Sequence, residues 1–252
     1  MILLLLSAIA LLIWSGLPDT ARDWLFLPVW TVSSWLILAG SLESARLRRR
    51  VWLDQYLQPG STWHRLLRGG WPLLVWHLLI AALLALFMLA RLLHVSGWLW
   101  LLLLAQTALV WWLGRWLGRR LGAHVKTEVR PALTRRLLVP LSMVPLLSCY
   151  VLVALQLPQP DMVAMGWAEA VEHYLPGSHS GMGLLALCER VYLLLDLTLQ
   201  WAMQNALGSQ DDSGALAILG WSLLLLGGTA FTWAWVRMLV GVGTLSERGE
   251  GG

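Results

Sequence analysis

Long apolar runs, each close to the length of a membrane-spanning helix, dominate this sequence. A helix needs about 20 apolar residues to cross a hydrocarbon core of about 30 Å. Six such runs are bounded by charged residues, Pro or Gly. They predict spans at about residues 2–17, 24–42, 71–93, 97–113, 137–157 and 214–240. Only a few residues separate the third and fourth spans, so we expect an antiparallel hairpin. The pattern therefore predicts an all-α, polytopic membrane protein with about six transmembrane helices.

The composition agrees with a bilayer as the solvent. Of the 252 residues, 58% are hydrophobic and 13% are charged, whereas about a quarter of the residues in a soluble domain are charged. The chain also contains 18 Trp, and indole rings favour the interface between membrane and water. We expect interfacial positions at the span ends for Trp14, Trp24, Trp71, Trp98, Trp100, Trp111, Trp112, Trp116, Trp221, Trp233 and Trp235.

The charges between the spans predict the orientation, because Lys and Arg in short loops stay on the cytoplasmic side. Residues 43–70 have a net charge of +4 and residues 114–136 a net charge of +6, whereas residues 158–213 have a net charge of −6. We therefore expect cytoplasmic basic loops at 43–70 and 114–136, an outer acidic segment at 158–213 and both termini in the cytoplasm. The expected location is the inner, cytoplasmic membrane of a bacterium.

The basic loops are candidate contact surfaces. The residues concerned are Arg46, Arg48, Arg49, Arg50, Arg115, Arg119 and Arg120. Such clusters next to a membrane bind anionic lipid headgroups, and they also suit a partner subunit. Each loop is too short for a nucleic-acid recognition fold, so no nucleic acid is expected as a partner.

The outer segment holds two predicted helices, at 162–174 and 184–207. In the second, Glu189, Asp196, Gln200 and Gln204 form one polar stripe. This stripe favours an amphipathic helix that lies on the outer interface or caps the bundle over a seventh span. A seventh span would bury Glu189, Arg190 and Asp196, at a cost of several kcal/mol unless these residues were paired inside the bundle.

Few ionisable residues lie within the spans. His77, Arg91, His94 and Arg237 are near span ends, where Arg can extend to the interface, and no intramembrane carboxylate is available to His77. This pattern argues against an ion-coupled transporter. Cys149 and Cys188 have no neighbouring Cys, so we expect two unpaired thiols.

The outer segment also contains carboxylate and imidazole groups at helical spacing. Glu169, His173 and His179 could in principle hold zinc, but the sequence matches none of the known zinc-protease signatures. It also lacks a phosphate loop and a dinucleotide fingerprint. No catalytic residue, cofactor or metal is therefore assigned.

Residues 135–203 resemble the small multi-pass membrane proteins encoded in bacterial integrating conjugative elements. The resemblance is carried by a span that follows a basic loop, then by Gly166-Trp167-Ala168-Glu169-Ala170, and then by Glu189-Arg190-Val191-Tyr192 before Trp201. It implies a membrane component of a conjugation apparatus and carries over no catalytic residues.

These observations favour a non-enzymatic inner-membrane subunit or scaffold of a larger assembly, such as a conjugation or secretion apparatus. The expected partners are the lipid bilayer, including anionic lipids, and other membrane-protein subunits. A transporter or channel subunit whose pathway forms on oligomerisation is the alternative. A membrane enzyme using the outer Glu and His residues comes third.

Overall fold

The computed structural model describes residues 1–56, 71–122, 125, 130–156, 161–162, 165–175, 183–208 and 213–250. These residues form eight helices and no strand, which confirms the predicted all-α membrane fold. The helices are α1 Ile2–Ser15, α2 Asp19–Tyr56, α3 Trp71–Leu92, α4 Gly97–Gly122, α5 Arg130–Gln156, α6 Trp167–Tyr174, α7 Gly183–Gly208 and α8 Ser213–Glu250.

Five of these helices are long and apolar enough to cross a bilayer. The qualifying stretches are Asp19–Leu42 in α2, Leu73–Leu92 in α3, Gly97–Gly122 in α4, Arg130–Val153 in α5 and Ala215–Leu245 in α8. Helix α1 is apolar but has 14 residues, which corresponds to about 21 Å and is shorter than the hydrocarbon core. The first predicted span is therefore a short helix, packed against α4 and α8.

The bundle has two chemically different ends. We call the end where α4 finishes and α5 begins the basic end, and the opposite end, where α6 lies, the acidic end. Met1 lines the same cavity as Gly118 and Arg130, so α1 begins at the basic end. Helices α2, α4 and α8 run towards the basic end, and α3 and α5 run away from it.

Several helices continue into the segments that were predicted to connect the spans. Helix α2 passes the predicted end of its span and continues to Tyr56, and α8 continues to Glu250. Helix α5 runs through Pro140 and Pro145 without interruption. Much of the two basic segments is therefore helical, because Arg, Leu and Ala are good helix formers and extend each helix beyond its apolar stretch.

Three of the tryptophans expected at the interface lie in the core instead. Trp14, Trp100 and Trp235 are buried, and the rings of Trp100 and Trp235 meet edge to face at 6.3 Å between centroids. A large apolar ring also stabilises helix packing, so a position near a span end did not predict its environment. Trp24 and Trp98 are 86% and 79% exposed, as an interfacial position requires.

Helices α2 and α8 make the closest backbone contact that involves glycine. A Cβ atom at Gly40 would collide with the carbonyl oxygen of Arg237, and one at Gly241 would collide with that of Leu36. The Arg237 guanidinium donates a hydrogen bond of 3.0 Å to the Gly40 carbonyl. Small residues allow such close approach between membrane helices, and Arg237 bonds to a neighbouring helix rather than extending to the interface as expected.

Candidate functional site

A group of charged and aromatic side chains joins α3 to α7 at the acidic end. Arg91 is in the last turn of α3, and His94 lies two residues after the end of that helix. Glu189, Tyr192 and Asp196 lie on one face of α7. Their spacing of three and four residues places these three side chains above one another on a helix. We call these five residues the charge cluster.

The most deeply buried member of the charge cluster is Glu189. Its side chain is 1% exposed, and its Oε1 lies 3.1 Å from Nε2 of His94. Oε2 of Glu189 and the hydroxyl of Tyr192 have no hydrogen-bond partner within the described part of the chain. A buried carboxylate is costly without a partner, so the imidazole of His94 is essential to the position of Glu189.

Arg91 provides the second connection. Its Nη1 lies 3.6 Å from Oδ1 of Asp196, and its guanidinium carbon lies 4.9 Å from the ring centre of Tyr192 and 5.3 Å from that of Tyr150. Each aromatic face attracts the cation. Because Tyr150 belongs to α5, Arg91 connects α3, α5 and α7.

A cavity of about 250 Å³ adjoins this arrangement. Arg91, Tyr150, Tyr192 and Asp196 line one side, and apolar residues of α7 and α8 line the rest, including Leu199, Leu223 and Ala230. The cavity is large enough for several waters. Arg91, Tyr192 and Asp196 can therefore contact water in the cavity, and the contacts of Arg91 can hold the three helices in a fixed arrangement.

The structure reverses the orientation expected for the polar stripe of α7. Glu189 faces the bundle, and Asp196 is paired with Arg91. The exposed face carries apolar residues and one charge: Leu184, Leu187, Arg190, Val191 and Leu195. The expectation assumed that polar side chains meet water, whereas here Glu189 meets His94 and Asp196 meets Arg91, about 100 positions earlier in the sequence.

The missed pairing had a signal in the sequence. Arg91 and His94 end an otherwise apolar span, and such residues need partners. The apolar helix that contains Glu189 and Asp196 offers such partners. A seventh span was expected to be costly unless its charges were paired, and Glu189 and Asp196 are both paired.

Helix α6 packs on α7 through hydrogen bonds to its flanking backbone. The indole of Trp201 donates to the Met165 carbonyl at 2.8 Å, and the Met162 amide donates to Oε1 of Gln204 at 2.7 Å. Asn205 also donates to the Met162 carbonyl, at 3.1 Å. Gln204 therefore serves to dock the segment before α6 rather than to face water.

Two of the three candidate zinc ligands lie among the described residues. Glu169 and His173 are exposed on α6, with the His173 ring against Tyr174 at 4.8 Å between centroids. His179 lies outside the described residues. Within the described residues, no group of three or more His, Cys, Asp or Glu side chains could hold a metal ion. Cys149 and Cys188 are free and half-buried.

The candidate contact arginines fall into two groups. Arg46, Arg48, Arg49 and Arg50 are on the part of α2 beyond its apolar stretch, and their side chains lie outside the described residues. Arg115, Arg119 and Arg120 are exposed on α4. Arg115 lies over the ring of Trp111 at 4.7 Å and Arg120 over that of Trp116 at 5.5 Å.

Comparison of the chain with protein-family models, with curated proteins and with solved structures finds no match. The geometry of the multi-pass helical bundle and its charge cluster is therefore the basis for assigning a role.

Proposed function

We propose that the chain is a non-enzymatic membrane subunit that presents a basic helical extension to another protein of a larger assembly. The observation that carries this proposal is the continuity of α2 from Asp19 to Tyr56. One helix thus contains both an apolar stretch that can cross a bilayer and the run Arg46, Arg48, Arg49 and Arg50.

The length of the extension favours a protein partner over lipid alone. The apolar stretch of α2 ends at Leu42, so the helix continues to Tyr56 for about 21 Å at 1.5 Å per residue. The headgroup layer on each side of the core is only about 5–8 Å thick. A straight continuation therefore carries Arg48 to Arg50 beyond most of that layer.

The base of the extension is firmly held. Gly40 and Gly241 bring the backbones of α2 and α8 into contact, and Arg237 bonds to the Gly40 carbonyl. Helix α8 itself continues to Glu250 on the same side. A fixed pair of helices pre-organises a surface and so lowers the entropic cost of binding. A partner with an acidic surface complements it.

The assembly and its location are part of the proposal. The charge asymmetry supports an inner membrane with both termini in the cytoplasm, and the resemblance of residues 135–203 suggests a conjugation or secretion apparatus. The extension would then face the cytoplasm, where anionic lipids bind Arg residues close to the core.

Co-purification with matched variants tests the proposal. We expect Arg48→Gln/Arg49→Gln to lose a stoichiometric partner that the parent chain retains in detergent. Arg190→Gln removes a positive charge from an exposed position on α7, at the opposite end of the bundle, and should retain the partner. Retention by both variants, or purification of the parent chain alone under mild conditions, contradicts the proposal.

A transporter subunit is the second candidate, and the charge cluster favours it. Arg91 and Asp196 line a cavity of about 250 Å³, and the pair of Glu189 with His94 lies on the same helices. Buried ionisable pairs in membrane proteins often mark ion pathways. Proton flux into liposomes that contain the chain alone, abolished by Glu189→Gln, would establish this candidate. Equal flux in liposomes with and without the chain would eliminate a pathway within one copy.

A further inference from the structure

We propose that the basic end of the bundle contains a binding site for one anionic phospholipid, whose phosphate lies against Arg115, Arg130 and Arg135. The site is separate from the basic extension of α2 and does not depend on the proposed function. It is formed by α1, α4, α5 and α8, and we call it the inner cavity.

The inner cavity has the size and the walls of a ligand site. Its volume is about 540 Å³, within the range of about 300–1,000 Å³ typical of small-molecule sites. Leu4, Val110, Leu138 and Leu239 are among the apolar residues that line it. These walls suit an acyl chain, because hydrocarbon placed there avoids contact with water.

The rim of the inner cavity is positively charged. Arg115, Arg130 and Arg135 line it, and none of its described lining residues is Asp or Glu. Arg130 donates one hydrogen bond to the Gly118 carbonyl, and the guanidinium of Arg115 lies over the Trp111 ring. An Arg side chain has five N–H donors, so these contacts orient the two cations and leave donors for a phosphate.

The first turn of α5 adds to the preference for an anion. Helix α5 begins at Arg130, and the N–H groups at the start of a helix attract negative charge. Thr134 lines the inner cavity, and its hydroxyl has no hydrogen-bond partner among the residues that the structure describes. A phosphate oxygen at this point would accept a hydrogen bond from that hydroxyl.

The combination of a basic rim and apolar walls favours a phospholipid over free phosphate. Free phosphate would use the arginines but leave the apolar walls around Leu138 and Leu239 without a partner. A phospholipid uses both parts, with its glycerol phosphate at the rim and the upper part of a chain along the walls. Basic pockets between helices on the cytoplasmic side are suited to anionic lipid headgroups.

Lipid binding to the full chain in a neutral detergent tests the site. Native mass spectrometry would follow titration with dioleoyl phosphatidylglycerol, with dioleoyl phosphatidylcholine as the zwitterionic comparison. We expect one phosphatidylglycerol to bind preferentially. Arg115→Gln/Arg135→Gln should weaken it roughly thirtyfold, from about 1 kcal/mol for each basic residue. Arg190→Gln, at an exposed position of α7 at the acidic end, should change it less than threefold.

A second variant blocks the inner cavity without removing charge. A Cβ at Gly243 would meet nothing within 4 Å, so Gly243→Leu places its side chain in the space that the acyl chain needs and should also weaken binding. Equal binding of both lipids, or a loss in Arg190→Gln as large as the loss in Arg115→Gln/Arg135→Gln, would overturn the proposal. Competition by glycerol 3-phosphate at equal concentration would assign the site to free phosphate and would overturn it as well.

Discussion

At the scale of single residues, Arg91 joins three helices in the acidic half of the bundle. Its side chain is 10% exposed and contacts Asp196, Tyr150 and Tyr192 on two other helices. Removing one member of a buried ion pair is costly, because the remaining charge loses its partner. Arg190, by contrast, is exposed on the opposite face of α7.

This contrast gives the first prediction. Arg91→Ala should lower the free energy of unfolding by about 1–3 kcal/mol, because Asp196 keeps only the hydrogen bond from Gln200 and the rings of Tyr150 and Tyr192 lose their cation. Arg190→Ala should change it by less than about 0.5 kcal/mol, as is usual for an exposed residue. Thermal unfolding of the detergent-solubilised protein measures both changes.

A double variant separates the ion pair from simple packing. Arg91→Ala/Asp196→Ala should recover part of the stability that Arg91→Ala loses, because no unpaired carboxylate remains. A double variant no more stable than additivity predicts would mean that the pair contributes no coupling.

Some of these residue environments could be predicted from the sequence. The exposure of Trp24 and Trp98 follows from their places at span ends, whereas the burial of Trp14 and Trp235 depends on which helices pack together. The same holds for Glu189. Its position on a stripe was evident, but the direction of the stripe was decided by His94, which is distant in sequence and close in space.

At the scale of elements, the contact between α2 and α8 fixes the base of the basic extension. It depends on the absence of a side chain at Gly40 and Gly241, each of which lies against a carbonyl group of the other helix. Gly243 is two residues further along α8, and a Cβ there would meet nothing within 4 Å. Gly241 and Gly243 are therefore matched positions for comparing the effect of an added methyl group.

The second prediction follows from this pair. Gly241→Ala should destabilise the protein by about 1–3 kcal/mol, because the methyl group forces the two backbones apart. Gly243→Ala should be neutral or should stabilise it by up to about 1 kcal/mol, because Ala is the better helix former. Thermal unfolding compares them, and similar loss in both would show that close packing at Gly241 is not required.

The elements themselves were largely predictable, and their ends were less so. The hairpin of α3 and α4 follows from two apolar runs with a short connection, and α4 begins at the predicted Gly97. The apolar pattern could not reveal that α2 continues to Tyr56, because a helix outside the membrane has no need of apolar residues. Residues 43–56 lie beyond the apolar stretch, and they continue the helix.

At the scale of the whole molecule, the two ends of the bundle differ in how they use charge. The acidic end buries Glu189 and pairs it with His94, so part of its charge stabilises the fold. At the basic end, Arg115, Arg119 and Arg120 are exposed, and Arg115 and Arg120 lie over the rings of Trp111 and Trp116. The basic end is therefore the end suited to binding.

The orientation gives the third prediction. In a variant with Cys149 and Cys188 replaced by Ala, a single cysteine at Arg190→Cys should react with an impermeant maleimide from outside intact cells. Arg120→Cys should react only after the membrane is permeabilised. The reverse pattern would place the basic end outside and contradict the orientation inferred from the charges.

The central claim is that the basic extension of α2 contacts a protein, and site-specific photo-crosslinking tests it most directly. A photoreactive amino acid would replace Arg48 in the full chain within the native membrane, and the products would be identified by mass spectrometry. Leu83, an exposed residue on the apolar stretch of α3, is the matched control position. We predict one dominant protein product at Arg48 that is absent at Leu83. Lipid products alone at both positions would contradict the account.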